Sequence, residues 1–322
     1  MDEPRPATIR SIGPAPAHHF EALAVGARPL KIRKGMSAED AFRVTLLECL
    51  AHVAGNVAAV TRSREVEGLH QLRVGLRRLG VAFSAFGEEF HTPAMAELQA
   101  RTKAFASAIA PARDLDVFAD ELFEGPVEAC GNEAAFELLR DRLERARGDA
   151  WDEAVTRVSS VEFAILLDDI AAAAQNRHWT SQAAIRSTAP RRLDEYLVKA
   201  RKRGRHLKSL EQRDCHRLRI SLKKLRYAAE FYAPLYEKKK VKRYIKAIKE
   251  LQDLLGAFND AGQVRATLSL LTTDDDIAPR ARADLCFASG VINGWHCARA
   301  MRLGKSVMKR WDRFRHVEPF WA

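Results

Sequence analysis

The chain has 322 residues, of which 47% are hydrophobic, enough apolar side chain to build a folded core. Lys and Arg number 53 against 42 Asp and Glu, so the formal net charge of +11 favours partners of negative charge. The five cysteines form no C-x-x-C pair, which argues against a disulfide scaffold or a zinc site and is typical of a reduced, cytoplasmic protein.

The first 36 residues contain several Pro and Gly and are predicted to form a flexible extension. They begin with an acidic, Pro-rich run and no apolar core follows, so we do not expect a signal peptide. We also find no apolar run of the roughly 18 residues needed to cross a bilayer. The sequence therefore predicts a cytoplasmic protein with no membrane partner.

Residues 37–322 are predicted to be helical almost throughout, because Ala, Leu, Glu, Arg and Lys dominate and alternating strand patterns are missing. Ser37 is placed to cap the first helix, with Asp40 three positions later. Helices are expected near residues 38–62, 67–87, 94–110, 133–175 (broken near Ser159), 190–207, 213–233, 239–256 and 279–315. Breaks are expected at Gly87 to Pro93, Gly125-Pro126, Ser187 to Pro190, Pro234, and Thr272 to Pro279.

Two of these helices carry the same basic motif. The first reads HQLRVGLRRL from His70, and the second reads HRLRISLKKL from His216, 146 positions later. Arg73 aligns with Arg219, and Arg77 aligns with Lys223. At 100° per residue, these side chains share one helical face, and the apolar side chains lie on the opposite face. A duplicated cationic face of this kind is predicted to hold an anion.

The repeat extends beyond the motif at the same offset. Arg113-Asp114 aligns with Asn259-Asp260, and Lys103 aligns with Lys249. So long a period indicates a duplicated helical unit, about 37–178 and about 187–322, and not a short-repeat solenoid. We therefore predict an all-α fold of two tandem, pseudo-symmetric four-helix bundles.

Positive charge is concentrated in the second unit, where residues 186–249 contain 22 Lys and Arg against 6 Asp and Glu. Arg226 and Tyr227 extend the basic face by a further turn. Two other stripes either add to the binding surface or are solvated helix faces. These stripes are Lys242, Lys246 and Lys249, and Arg192, Tyr196, Lys199 and Arg203.

The histidines and the repeated carboxylates have distinct expected roles. His70 and His216 lie among cations that should lower their pKa, so binding of a phosphate chain is expected to take up protons and to strengthen as the pH falls through about 7 to 6. Asp114 and Asp260 are expected to orient Arg or His side chains, with a catalytic role as the alternative. A metal site at Asp274-Asp275-Asp276 is the weaker interpretation of a turn-like loop.

The two basic helices, the repeated Asp sites and the terminal Pro319-Phe320-Trp321 resemble the CHAD family, the conserved histidine α-helical domain, from about residue 37 to the end. The resemblance implies two four-helix bundles around a basic groove or pore, binding of inorganic polyphosphate, and association with polyphosphate granules. By position, it implies ligand contacts from His70, Arg73, Arg77, Arg78, His216, Arg219, Lys223, Lys224 and Arg226. Gly80 stands where the second copy has Arg226, so the first face is shorter.

We therefore expect a non-catalytic polyphosphate-binding protein without metal or cofactor, with granule-associated proteins as possible partners. Lys103, Arg113, Lys246 and Lys249 complete the expected ligand set. Two alternatives stay open. One is a nucleic-acid binder, which usually carries more aromatic side chains among its cations. The other is a phosphohydrolase or phosphotransferase acting through His70 or His216.

Overall fold

The computed structural model describes residues 22–86, 88–175, 183–273 and 278–322. These residues form helices and short helical turns, and within them the only β pairing is a single bridge between Ser37 and Ala184. The predicted all-α class is confirmed. The triple aspartate at 274–276 and residues 1–21 of the expected extension lie outside the described residues.

Twelve α-helices are found in the described ranges. They are α1 (Ala38–Ala54), α2 (Val57–Thr61), α3 (Val66–Ala85), α4 (Pro93–Ala108), α5 (Ala110–Val117), α6 (Glu124–Cys130), α7 (Glu137–Val158), α8 (Val161–Gln175), α9 (Ile185–Gly204), α10 (Gln212–Tyr232), α11 (Lys238–Thr272) and α12 (Pro279–Arg315). A π-helical turn, Phe118–Phe123, joins α5 to α6. Short 3-10 turns occur at Glu88–Phe90, Glu133–Phe136, Leu207–Ser209 and Ala233–Leu235.

The predicted cap at Ser37 is present, since its Oγ accepts the backbone N–H of Asp40 at 3.0 Å. Thr92 caps α4 in the same way through Met95, with Pro93 at the first helical position. Both caps satisfy backbone donors that the first turn of a helix leaves without partners. Local sequence therefore sets where these two helices begin.

One expected helix end and two expected breaks are wrong. The helix predicted over 239–256 continues to Thr272 as the 35-residue α11. Pro190 lies inside α9, where the loss of one N–H is offset by burial of Ile185, Ala189 and Leu193. Pro126 lies three residues after the π-helical turn, and the chain is helical through it instead of forming a loop.

The helices of the two copies correspond under the 146-residue offset. Helix α3 maps onto α10, α4 and α5 together map onto α11, and α7 and α8 together map onto α12. The first copy breaks between α4 and α5 next to Pro111, where the second copy has Ala257. The second copy can therefore run straight through as one long helix.

The larger core runs through both copies. Helices α1, α3, α4 and α8 pack on one another, and α9 packs on α10, α10 on α11, and α11 on α12. Helix α3 also packs against α10, so the two basic helices meet inside the molecule. Phe42, Phe86 and Tyr232 form a chain of ring contacts across this junction, with centroids 5.3 and 5.4 Å apart.

A second, smaller core draws side chains from both copies. The first copy contributes apolar residues between Leu115 and Leu143, and the second contributes apolar residues between Val264 and Ile292. These residues lie on α5, the π-helical turn, α6 and α7, and on α11 and α12. Each copy thus supplies part of a core that neither completes alone.

Residues 22–36 pack against the helices and do not form the flexible extension expected from the sequence. Leu30 and Ile32 are buried in the larger core. Val25 exchanges hydrogen bonds with the side chain of Asn56, at 2.9 and 2.8 Å. This segment is ordered because it covers apolar and polar groups at the end of α1.

Residues Ala38–Thr61, which span α1 and α2, are long and apolar enough to cross a membrane by length and composition. The expectation that no apolar run reaches this length is therefore wrong. Phe42, Leu46 and Val53 of this stretch are buried in the larger core. A helix buried in a protein core can be as long and as apolar as a membrane-spanning one.

The close approach of α9 to α12 depends on Gly204. A Cβ added there would lie 1.9 Å from the Trp311 ring, whereas one added at Gly290 of α12 would meet open space. We expect Gly204→Ala to lower the free energy of unfolding by about 1–3 kcal/mol through overpacking. Gly290→Ala, the matched control, should raise it by about 0.5–1 kcal/mol because Gly is a poor helix residue. Equal denaturation midpoints for the two variants would contradict this.

Candidate anion-binding site

A shared carboxylate links the two basic helices. Glu230 of α10 accepts from Arg78 of α3 at 2.7 Å and from Arg226 of its own helix at 2.8 Å. Tyr232 Oη adds a 2.7 Å hydrogen bond to the carbonyl oxygen of Ala85. These bonds hold the C-terminal halves of α3 and α10 together despite their like charge.

Tyr227 lies beside this junction and is buried. The Arg226 guanidinium lies 4.7 Å from the centre of its ring, and the Arg78 guanidinium lies 5.9 Å from it. The helical wheel places Tyr227 on the basic face, but α3 covers that part of α10. The ring therefore stacks between two cations and is not open to a ligand.

The cations of the two motifs come together next to this junction. Burial, together with the positive charges of the four arginines Arg219, Arg77, Arg226 and Arg73, lowers the pKa of Lys223 to about 7. Two of these arginines belong to α3 and two to α10. The two basic faces therefore meet in one cluster of like charge, the cation cluster (Arg73, Arg77, Arg219, Lys223 and Arg226).

The centre of the cation cluster has few protein counter-charges. Within the described part of the chain, Arg77, Arg219 and Lys223 form no ion pair, and the Nε atoms of Arg77 and Arg219 are buried without a hydrogen-bond partner. Burial lowers the pKa of Arg219, an effect that Asp260 opposes and Arg77 adds to. Buried donors of this kind are costly to leave unpaired, and an anion would satisfy them.

On the first-copy side, Asp114 orients Arg73. The Arg73 Nη1 atom donates to Asp114 Oδ1 at 3.1 Å and to the carbonyl oxygen of Ala110 at 2.9 Å. His70 lies beside this pair, and its pKa is lowered first by burial and then by the charge of Arg113. In the free protein the imidazole is therefore held towards its neutral form.

On the second-copy side, the equivalent groups pair differently. His216 is exposed, and its Nδ1 atom lies 2.9 Å from Asn259 Oδ1, at the position where the first copy has Arg113. Burial raises the pKa of Asp260, an effect that the charges of Arg219 and Arg299 oppose. The first copy therefore places the positive charge of Arg113 near His70, whereas the second copy has Asn259 at the equivalent position, hydrogen-bonded to His216.

The remaining predicted ligands lie elsewhere. Arg78 is buried and paired with Glu230, while Arg113 is partly buried near His70 and 3.5 Å from Glu121. Lys103, Lys224 and Lys249 are exposed, as is Lys246, which lies 3.9 Å from Glu250. A ligand role for these lysines stays a prediction.

Sequence reasoning missed several polar groups that support the cluster. Gln252 accepts from Arg226 Nε at 3.1 Å, and the side-chain amide of Gln263 donates to the backbone of Asp114 at 2.9 Å. The i, i+4 spacing of Arg226 and Glu230 was a usable signal for their pairing. The two glutamines give no such signal, because their partners are distant in sequence.

No group of three or more His, Cys, Asp or Glu side chains suited to a metal ion occurs among the residues that the structure describes. The expectation of no metal or cofactor stays a prediction.

Comparisons with known proteins bear on the family and the fold. The family model described as "CHAD domain" matches residues 45–269. The fold is similar to the crystal structure of the CHAD domain from the plant Ricinus communis, with a TM-score of 0.79 and 23% identity over 92% of this chain and 99% of that one. It is also similar to PptA from Streptomyces chartreusis, with a TM-score of 0.63 and 16% identity over 86% of this chain and 100% of that one. A comparison with curated protein sequences gives no match.

The cation cluster should lower the stability of the ligand-free protein. Because the pKa of Lys223 is lowered to about 7, the folded state binds fewer protons than the unfolded state between that pH and the ordinary value for lysine. The free energy of unfolding should therefore increase as the pH rises from about 7 towards the ordinary pKa of lysine, because Lys223 loses its buried charge. Lys223→Met should remove this slope and stabilise the protein at pH 7 by about 1 kcal/mol or more. Denaturant titrations at several pH values measure both effects, and a less stable variant at pH 7 would contradict the argument.

Proposed function

Because the chain belongs to the CHAD domain family, we propose that it is a non-catalytic protein that binds inorganic polyphosphate where its two basic helices meet. The observation that carries this proposal is the set of cations without ion pairs, Arg77, Arg219 and Lys223, at the centre of the cation cluster. A chain of phosphates supplies regularly spaced oxygens and negative charge, which these groups lack within the protein.

The duplication explains how the cluster is built. We propose two tandem four-helix units, related by a pseudo-two-fold axis, that place the His70 and His216 faces around one basic groove or pore. The helix correspondence at an offset of 146 residues and the packing of α3 on α10 support this arrangement. Arg78 contributes by holding the two units together through Glu230, so its role differs from that of Arg77.

A backbone-only ligand fits the cluster better than nucleic acid. Proteins that bind single strands usually offer aromatic rings on which bases stack. The aromatic ring at the cluster, Tyr227, is buried between Arg78 and Arg226. Through this site the protein would attach to polyphosphate granules in the cytoplasm, in the company of other granule-associated proteins.

Binding of long-chain polyphosphate at about 0.15 M salt, with excess single-stranded and duplex DNA as competitors, tests the proposal. Arg77→Ala combined with Arg219→Ala should weaken binding at least tenfold, since each charge-assisted hydrogen bond contributes about 1.5–3 kcal/mol. Arg280→Ala combined with Arg302→Ala removes two exposed arginines of α12 and is the matched control. It should change affinity little.

Two results would overturn this function. Displacement of polyphosphate by DNA at comparable charge concentration would favour a nucleic-acid binder. Phosphate release from polyphosphate, lost in His70→Ala plus His216→Ala while binding persists, would show an enzyme. Release should be followed with and without added Mg²⁺ or Mn²⁺, because phosphoryl transfer commonly uses such ions.

Affinity should fall as the pH rises from 6 to 9. A bound polyanion favours the protonated forms of Lys223 and His70, whose pKa values are lowered in the free protein, so binding takes up protons. Lys223→Arg should flatten the profile above pH 7, because Arg keeps its charge throughout this range. His70→Gln should flatten the affinity profile at pH values below the ordinary pKa of histidine, because glutamine does not take up a proton. Equal slopes for wild type and both variants, measured by titration calorimetry in two buffers, would exclude these groups as the source.

A further inference from the structure

A basic cavity lies outside the cation cluster, between α9 and α10. This cavity, the α9–α10 groove, has a volume of about 440 Å³. Its lining residues are Tyr196, Lys199, Lys202, Arg203, Arg217, Ile220, Ser221 and Lys224. Five of the eight carry a positive charge, and none carries a negative one.

The charges of the groove are poorly neutralised by the protein. Among the described residues, Arg217 is the one groove cation with a carboxylate in reach, and that contact, to Asp214 Oδ1, is 4.0 Å long. Lys199, Lys202 and Arg203 are exposed and form no ion pair in the same set of residues. Five cations around one cavity concentrate anions there.

The groove and the cation cluster share helix α10. Arg217 lines both the groove and a neighbouring depression at the start of α10, which His216 also lines. Lys224 directly follows Lys223, about 100° round the same helix. A chain leaving the cluster past His216 therefore meets Arg217 and then the groove.

The first copy lacks three of the charges of this groove. At the 146-residue offset, Lys199, Lys202 and Arg203 correspond to Val53, Asn56 and Val57, none of which is charged. The Asn56 side chain also accepts a hydrogen bond from the backbone N–H of Val25 and donates one to the Val25 carbonyl oxygen. Among the described residues, the segment at 22–36 thus covers Asn56 in the first copy, whereas the corresponding Lys202 of the second copy is exposed.

We propose that the α9–α10 groove is an accessory site for the same polyanion, which binds the part of a long phosphate chain that extends beyond the cation cluster. This proposal rests on the proposed function. It also selects a chain without bases, because Tyr196, the aromatic residue of the groove, is buried, lies under Lys199 at 5.7 Å, and bonds Ser84 through its hydroxyl at 3.0 Å. The groove makes affinity depend on chain length, since tripolyphosphate fills the cluster alone.

The test compares tripolyphosphate with long-chain polyphosphate. Lys199→Ala, Lys202→Ala and Arg203→Ala together should weaken binding of the long chain about tenfold and leave tripolyphosphate binding unchanged. The matched control, Arg302→Ala, Lys305→Ala and Lys309→Ala, also removes two lysines and one arginine, all exposed on α12. It should affect both ligands only slightly.

Lysine acetylation of the wild-type protein, read by mass spectrometry, gives a second measurement that needs no variant. Long-chain polyphosphate should protect Lys199, Lys202 and Lys224, tripolyphosphate should not, and Lys305 and Lys309 should stay reactive with both. If the long chain binds but the three groove lysines stay reactive, the groove proposal is wrong and the proposed function stands. If neither phosphate ligand binds the wild type, the proposed function fails first. Protection by single-stranded DNA but not by polyphosphate would assign the groove to nucleic acid and overturn the proposal.

Discussion

Glu230 allows two cationic helices to cross. Its two oxygens pair with Arg78 of α3 and Arg226 of α10, so one carboxylate binds a cation from each copy at the point of contact. A few residues away the same helices carry Arg77, Arg219 and Lys223, which have no such partner within the described ranges. Attraction at one end of the junction thus supports repulsion at the other. In the proposed function, an anion would relieve this repulsion, and the stability lost in the ligand-free protein would be exchanged for binding.

The duplication makes the site nearly symmetric, but the two copies differ in the residues around the histidines and in the surfaces behind α1 and α9. Arg113 of the first copy raises the positive potential around His70, whereas Asn259 of the second copy binds His216 directly. The surface behind α1 is closed by the segment at 22–36, but the surface behind α9 is open. A chain-like ligand would therefore meet one closed flank and one open flank, which gives the site a direction along the molecule.

Much of this arrangement could be predicted from the sequence, because α3 and α10 each have an apolar stripe opposite the basic face. The offset of 146 residues also marked Asp114 as a carboxylate that orients an Arg or His side chain, and it binds Arg73, but the bond between His216 and Asn259 was not expected. Tyr227 was misplaced, since a helical wheel contains no information about which neighbouring helix covers a polar face. The length of α11 was missed at Gly256, although the change from Pro111 to Ala257 between copies indicated that the helix continues. The supporting glutamines could not be found, because their contacts depend on tertiary packing.

Because the smaller core contains side chains from both copies, neither copy buries all of its apolar surface without the other. Its apolar residues come in similar shares from α5 to α7 and from the facing ends of α11 and α12. A half-length chain would expose its share to water, and it could bury that surface only against a second copy of itself. Covalent linkage of the two copies keeps these complementary surfaces together at any protein concentration, which two separate half-length chains would not do.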